Sequence, residues 1–129
     1  MFCSALKLSM HHMRTNPPNS FGSSRGSIIL VSSTSGYFGG TSVVSYIASK
    51  HGITGLLRAS QKTAREAEVR VNAVAPFFTP TYITSSYAEV WRERGLPENK
   101  TTDVAAAVVQ MAADQGSEGR CCLVSEMEL

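Results

Sequence analysis

Apolar residues along the chain follow two kinds of spacing, and each kind predicts one type of element. Intervals of three and four residues predict an amphipathic helix over 1–13, a long helix over 42–67, a short polar helix over 87–94 and an Ala-rich helix over 104–113. Short apolar runs predict strands over 27–32, 69–75 and 121–124, the first of them buried on both faces. Segments rich in glycine, proline and serine connect these elements.

The order of the predicted elements is helix, strand, helix, strand, helix, helix, strand. Strands that alternate with helices predict right-handed crossovers and a parallel sheet. We therefore expect an α/β fold in a single domain over 1–129, a partial Rossmann-like doubly wound sheet with helices on both faces. Gly52 and Gly55 weaken the long helix, so we expect them to allow close packing against another backbone.

The composition is ordinary for a globular protein and excludes several classes of function. Of the 129 residues, 43% are hydrophobic and 17% are charged, and the net charge is +2. This small charge does not favour nucleic-acid binding, and no apolar run approaches the roughly 18–20 residues of a membrane span. An odd number of cysteines, two of them adjacent, is a poor disulfide framework, so we expect a reducing, cytoplasmic location.

Groups able to do chemistry lie where the first two predicted strands end. Tyr46 and Lys50 are four residues apart and therefore share one face of the long helix. A nearby ammonium favours the phenolate form of a tyrosine, so the pair can act as an acid–base unit. Ser33 follows the first strand, thirteen residues before Tyr46, and Pro76 follows the second. Because ligands of open parallel sheets bind beyond the carboxyl ends of strands, we expect these residues to meet in one crevice.

The stretch GSIILVSSTSGYFGGTSVVSYIASKHGITGLLRASQKTAREAEVRVNAVAP resembles the catalytic segment of the short-chain dehydrogenase/reductase family. The resemblance is strongest over 26–81 and places the chain in the C-terminal, catalytic half of the family's fold. It implies an oxidoreductase that transfers a hydride between NAD or NADP and an alcohol or ketone. Tyr46 would be the general acid/base, Lys50 would support it and bond the cofactor's ribose, and Ser33 would hold the substrate oxygen. Ser32 would be turned toward the packing of the sheet.

The resemblance also implies a cofactor-binding segment after the second strand. Tyr46, Lys50 and Pro76 would border the nicotinamide and its ribose, with Thr79 near the carboxamide and Thr81 near the phosphates. The family's usual glycine after the proline is Phe77 here, a residue that cannot freely adopt positive φ and would crowd the nicotinamide. The aromatic segment 77–97 matches the family's variable lid and suggests an apolar or ring-bearing substrate.

Two further departures from the family concern the ends of the chain. The Gly-rich turn that binds the dinucleotide phosphates is absent from the sequence, as is the usual VDGG-like finish, replaced by LVSEMEL. We therefore expect the chain by itself to bind NAD or NADP poorly, and the choice between the two cannot be read. The alternative function is a truncated, non-catalytic module. In either case we expect a homo-oligomer formed through the helices at 1–13 and 42–67.

Other kinds of site have less support from the sequence. Adjacent ligands such as His11 and His12, or Cys121 and Cys122, point in different directions and lack zinc-like spacing, so we expect no metal site. His51 lies next to Lys50 but away from the Tyr46 face, which favours a packing role. Ser33 lacks the Gly-x-Ser-x-Gly frame of a serine hydrolase.

Overall fold

The computed structural model describes residues 2–20, 22, 24–39 and 43–125, and a sheet of three parallel strands lies at its centre. The strands are β1 (Gly26–Val31), β2 (Val69–Pro76) and β3 (Cys121–Val124), with β2 in the middle. The helices of these ranges are α1 (Phe2–Met13), α2 (Val44–Glu66), α3 (Ser85–Glu93) and α4 (Thr101–Ala113). The order and the parallel pairing confirm the predicted α/β fold class. Residues 1, 42 and 126–129 of the predicted helices and tail lie outside the described residues.

Side chains of β2 alternate between two helical layers. Val69, Val71 and Ala73 belong to a buried cluster with apolar residues of α1 and α2. Val74 points to the other face and packs against α4. Burying a valine side chain contributes about 1.5–3 kcal/mol relative to leaving it exposed, so β2 stabilises both layers at once. Helices on both faces of a parallel sheet are the arrangement of a doubly wound domain.

The first strand is less buried than its sequence predicts. Leu30 is buried, but Val31 is 54% exposed and the other residues of β1 are half-buried. In the described part of the chain β1 is paired on one side, with β2, so its other edge faces outward. The prediction of burial on both faces is wrong for β1, because an apolar run does not distinguish an edge strand from a central one. Burial on both faces is found in β2 instead.

Two predictions about helices also need correction. Helix α4 begins at Thr101, before the predicted position 104, and the Asp103 carboxylate accepts from the backbone N–H of Lys100 at 2.9 Å within the first turn. Gly52 and Gly55 do not meet another backbone in the described chain: nothing lies within 4 Å of where a Cβ would stand at either. Both lie on the exposed side of α2.

Two buried polar residues of β2 hold the last part of the chain in place. The Arg70 guanidinium donates to the carbonyls of Ala112 at 2.7 Å and Asp114 at 2.8 Å, which lie at the end of α4. Asn72, fully buried, donates to the Ser117 carbonyl at 2.8 Å and accepts from the Arg120 N–H at 3.0 Å. Helix-end carbonyls need such partners. These bonds align β3 beside β2 and so complete the sheet edge on which the site lies.

Candidate active site

Tyr46 and Lys50 lie together in the first turns of α2, as their spacing predicts. The Lys50 Nζ lies 5.5 Å from the centroid of the Tyr46 ring. It also donates to the carbonyl oxygen of Val31, the last residue of β1, at 3.1 Å. Tyr46 is 44% exposed. The ammonium is thus fixed between the end of β1 and the phenol.

A cavity of about 390 Å³ opens beside this pair, between the carboxyl ends of β1 and β2. The sequence-predicted residues on its walls are Tyr46, Lys50, Pro76, Thr79 and Thr81. Its remaining walls are largely apolar. They include Phe77, which the sequence predicts beside the nicotinamide, and three side chains that the sequence does not predict there: Val31, Ile83 and Val104. Ligand pockets of proteins combine apolar walls with a few polar groups in this way.

Ser33 lies behind the cavity rather than on its wall. It is 7% exposed, and its hydroxyl donates to the Pro76 carbonyl at 3.3 Å and accepts from the Ser35 N–H at 3.2 Å. The second bond caps a 3-10 turn over Thr34–Gly36. Its neighbour Ser32 does border the cavity, although the Ser32 hydroxyl bonds to α2. The Ser33 proton must therefore leave Pro76 before it can reach a ligand oxygen.

Residues missed by the sequence analysis shape the segment after β2. The Thr84 hydroxyl donates to the Thr79 carbonyl at 3.1 Å and accepts from the Thr81 N–H at 2.8 Å. Asn99 is 2% exposed, and it donates its backbone N–H to the Phe78 carbonyl and its side-chain amide to the Val124 carbonyl, each at 2.8 Å. The segment is thereby tied to the end of β3. Neither residue can be recognised from a local sequence pattern. Asn99 bonds to a residue 25 positions later, and Thr84 bonds back to Thr79 in a segment that has no regular secondary structure.

Phe77 is accommodated without backbone strain. Among the described non-glycine residues Glu68 is the one with positive φ, so Phe77 does not adopt the conformation that a glycine would favour. Its ring meets Trp91 edge-on at 5.8 Å, and Phe78 stacks on the same indole at 4.4 Å. The prediction that Phe77 conflicts with a positive φ at this position is therefore wrong. The ring nevertheless forms part of the cavity wall.

Other candidate chemistry finds little support in the described ranges. Within residues 2–20, 22, 24–39 and 43–125, no group of three or more His, Cys, Asp and Glu could hold a metal ion. Cys3, Cys121 and Cys122 are free thiols. Burial raises the pKa of the Cys121 thiol, which disfavours the thiolate that metals and electrophiles require. No described helix is long and apolar enough to cross a membrane.

Comparison with known proteins identifies the family of this chain. A model of the short chain dehydrogenase family matches residues 3–90. The chain belongs to the short-chain dehydrogenase/reductase family. The 3-oxoacyl-(acyl-carrier-protein) reductase FabG of Thermotoga maritima is 36% identical over 98 residues, which are 71% of this chain and 40% of that relative. The corresponding reductase of Homo sapiens is 38% identical over 87 residues, 65% of this chain and 37% of the relative.

Two solved structures share the fold of this chain. The 3-hydroxyacyl-CoA dehydrogenase type-2 of Mycobacterium avium superposes with a TM-score of 0.83 at 24% identity, covering 96% of this chain and 50% of that one. ElxO with NADP bound has a TM-score of 0.71 at 20% identity, covering 92% of this chain and 50% of that one. Members of the short-chain dehydrogenase/reductase family are oxidoreductases. This chain spans about half the length of the two solved proteins, and about 40% or less of the two curated reductases.

Proposed function

We propose that this chain carries the acid–base half of an NAD- or NADP-dependent oxidoreductase that interconverts an alcohol and a ketone. The observation that carries the proposal is the Tyr46–Lys50 pair, which opens on the cavity at the carboxyl ends of β1 and β2. A parallel sheet binds its ligands at that edge. The family's activity supports the reaction class, and relatives named as 3-oxoacyl reductases act on carbonyl compounds.

Tyr46 would move the proton. Its hydroxyl would give a proton to the carbonyl oxygen during reduction, and its phenolate would take the proton of the alcohol during oxidation. The Lys50 ammonium, 5.5 Å from the ring centroid, would keep a positive charge beside the phenol during this transfer. Ser33 would exchange its bond to the Pro76 carbonyl for one to the substrate oxygen, which is a change of acceptor rather than a loss of a hydrogen bond.

The cavity suits the nicotinamide end of the dinucleotide. Pro76, Thr79, Thr81 and Lys50 all line it, and the Lys50 ammonium would donate to ribose hydroxyls. When bound there, the cofactor supplies the hydride chemistry, which protein side chains cannot. The 129 residues contain no Gly-rich phosphate turn, so we expect the chain by itself to bind the dinucleotide weakly, and the choice of NAD or NADP stays open. The apolar walls favour an apolar substrate.

The variant Tyr46→Phe tests this function in the protein that carries this sequence. It removes one hydroxyl and keeps the ring, so we expect turnover to fall by about 10²–10⁴-fold with little change in cofactor affinity. Tyr87→Phe is the matched control, because Tyr87 is 64% exposed on α3 and outside the cavity wall. Turnover of ketone or alcohol with NAD(H) and NADP(H) is measured by cofactor absorbance, and affinity by cofactor fluorescence. Activity of Tyr46→Phe within about threefold of the unaltered protein would contradict the proposal.

We also propose that the outer faces of α1 and α2 contact a second copy of the chain. Phe2 and Leu8 of α1 are 56% and 59% exposed, and Val44 at the start of α2 is 77% exposed. Exposed apolar side chains on adjacent helices are typical of surfaces that associate. The expected cytoplasmic location stays a prediction.

A further inference from the structure

Two consecutive residues at the end of β1, Val31 and Ser32, bond to the ammonium and to the backbone carbonyl of Lys50. Its Nζ donates to the Val31 carbonyl at 3.1 Å. Its own carbonyl oxygen accepts from the Ser32 hydroxyl at 3.2 Å. The position of this lysine along α2 is therefore coupled to the end of the strand through the main chain as well as through the ammonium.

A second hydroxyl completes this contact. Thr54, one helical turn after Lys50, donates to the Lys50 carbonyl at 3.2 Å, and its Oγ1 lies 3.3 Å from the Ser32 Oγ. Ser32 is 3% exposed and Thr54 is 4% exposed. Buried hydroxyls keep their hydrogen bonds because water cannot replace them. These three oxygen atoms therefore form a dry polar contact between β1 and α2.

The turn that follows Ser33 closes over the same atoms. A Cβ at Gly36 would lie 2.7 Å from the Ser32 Oγ and 2.8 Å from both the Lys50 carbonyl oxygen and the Thr54 Oγ1. The backbone of the turn thus lies directly against the contact and excludes solvent from it. Since Ser33 caps this turn, the contact links the Ser33 side of the proposed site to the Lys50 side.

The start of α2 lacks a side-chain cap that would hold it by other means. Its N-cap residue, Val43, makes no capping hydrogen bond, and the residues from Val43 to Tyr46 are exposed. Tyr46 lies one turn before Lys50 on the same face. A small slide or rotation of α2 against β1 would consequently move the phenol and the ammonium together, and a misplacement of about 1 Å can cost about 10²-fold in rate.

We propose that Ser32 and Thr54 are positioning residues, which fix the Tyr46–Lys50 face of α2 against the end of β1 through the Lys50 carbonyl. This inference rests on the proposed oxidoreductase function. Neither hydroxyl needs to touch the reacting atoms. Their effect is on the geometry of catalysis, so it appears in kcat more than in KM.

The test compares Thr54→Val with Thr54→Ser in the protein that carries this sequence. Valine keeps the shape of threonine and removes the hydroxyl, and we expect kcat to fall about tenfold or more while KM changes less than about threefold. Serine keeps the hydroxyl and should restore kcat to within about threefold of the unaltered protein. The matched control is Ser60→Ala, because Ser60 is also buried on α2 but its hydroxyl donates to the Leu57 carbonyl within the same helix.

The outcomes separate this inference from the proposed function. Any of three results would overturn the positioning role. The first is an unchanged kcat in Thr54→Val, and the second is a loss of kcat that Thr54→Ser does not restore. The third is an equal loss of kcat in Ser60→Ala. If Thr54→Val fails to fold by circular dichroism, Ser32→Ala carries the same expectation, because it removes the other hydroxyl from outside the helix. Tyr46→Phe in the same assay tests the proposed function. If Tyr46→Phe stays active, the oxidoreductase mechanism fails. If Tyr46→Phe is inactive while Thr54→Val is fully active, only the positioning role is refuted.

Discussion

A methyl group added at Gly36 tests how tightly the end of β1, the following turn and α2 are packed. In Gly36→Ala the new Cβ would meet three oxygen atoms at 2.7–2.8 Å, a separation that real Cβ atoms essentially never show. Two of these oxygens belong to the Ser32 and Thr54 side chains, which can rotate only by giving up their hydrogen bonds. The third is the Lys50 carbonyl, which can move only with the backbone of α2.

The expected loss of stability follows from these contacts. Over-packing by one methyl group in a well-packed site typically costs about 1–3 kcal/mol. Loss of a buried hydroxyl's partner adds about 1–3 kcal/mol. Gly36 lacks the positive φ that would add backbone strain for an alanine. We therefore expect Gly36→Ala to lower the free energy of unfolding by about 2–6 kcal/mol.

Urea denaturation followed by circular dichroism measures this loss. Gly39→Ala is the control, since nothing lies within 4 Å of the position of its Cβ and it belongs to the same loop. We expect its free energy of unfolding to stay within about 0.5 kcal/mol of the unaltered protein. Equal stability of Gly36→Ala and Gly39→Ala would refute the tight contact at the end of β1, and with it the steric part of the positioning argument.

Two further predictions concern surface features of the same domain. Gly55→Ala should stabilise α2 by about 1 kcal/mol in the single chain, because the position is helical and nothing lies within 4 Å of its Cβ. If a second copy packs at Gly55, the same variant should weaken self-association, which sedimentation velocity measures. Bonds from the Ser117 hydroxyl and the Gly116 N–H lower the pKa of Asp114, so its contribution to folding is complete above about pH 4 and is lost as pH falls through the lower pKa of the folded state. Asp114→Asn should therefore lower the free energy of unfolding in urea at pH 7. If the variant and the unaltered protein still differ by the same free energy in strong acid, this reasoning is wrong.

Local patterns in the sequence are sufficient to predict the order of the elements and the pairing of Tyr46 with Lys50. A spacing of four residues places two side chains on one helical face in any context, and the apolar run of β2 is buried in any doubly wound sheet. The structure confirms the fold class on these grounds. The catalytic roles of the two residues stay predictions that the proposed variants test.

Long-range polar contacts could not be predicted in the same way. Asn72 and Arg70 interrupt an apolar strand, which signals that each has a buried partner but not which one. Their partners lie more than 40 residues later in the chain, at the end of α4 and in the turn after it. Asn99 likewise bonds the end of β3, 25 residues away. Such contacts depend on the completed sheet, so no local pattern contains them.

Two hydrogen-bond donors of the proposed site, Lys50 and Ser33, are held by carbonyl oxygens at strand ends. Lys50 donates to Val31, the last residue of β1, and Ser33 donates to Pro76, the last residue of β2. These acceptors keep both side chains oriented before any ligand binds, at little cost in side-chain entropy on binding. A substrate or ribose oxygen then replaces one acceptor by another of similar strength. The carboxyl edge of the sheet therefore both positions the reactive groups and leaves them ready to exchange partners, which follows from the ends of β1 and β2 lying side by side.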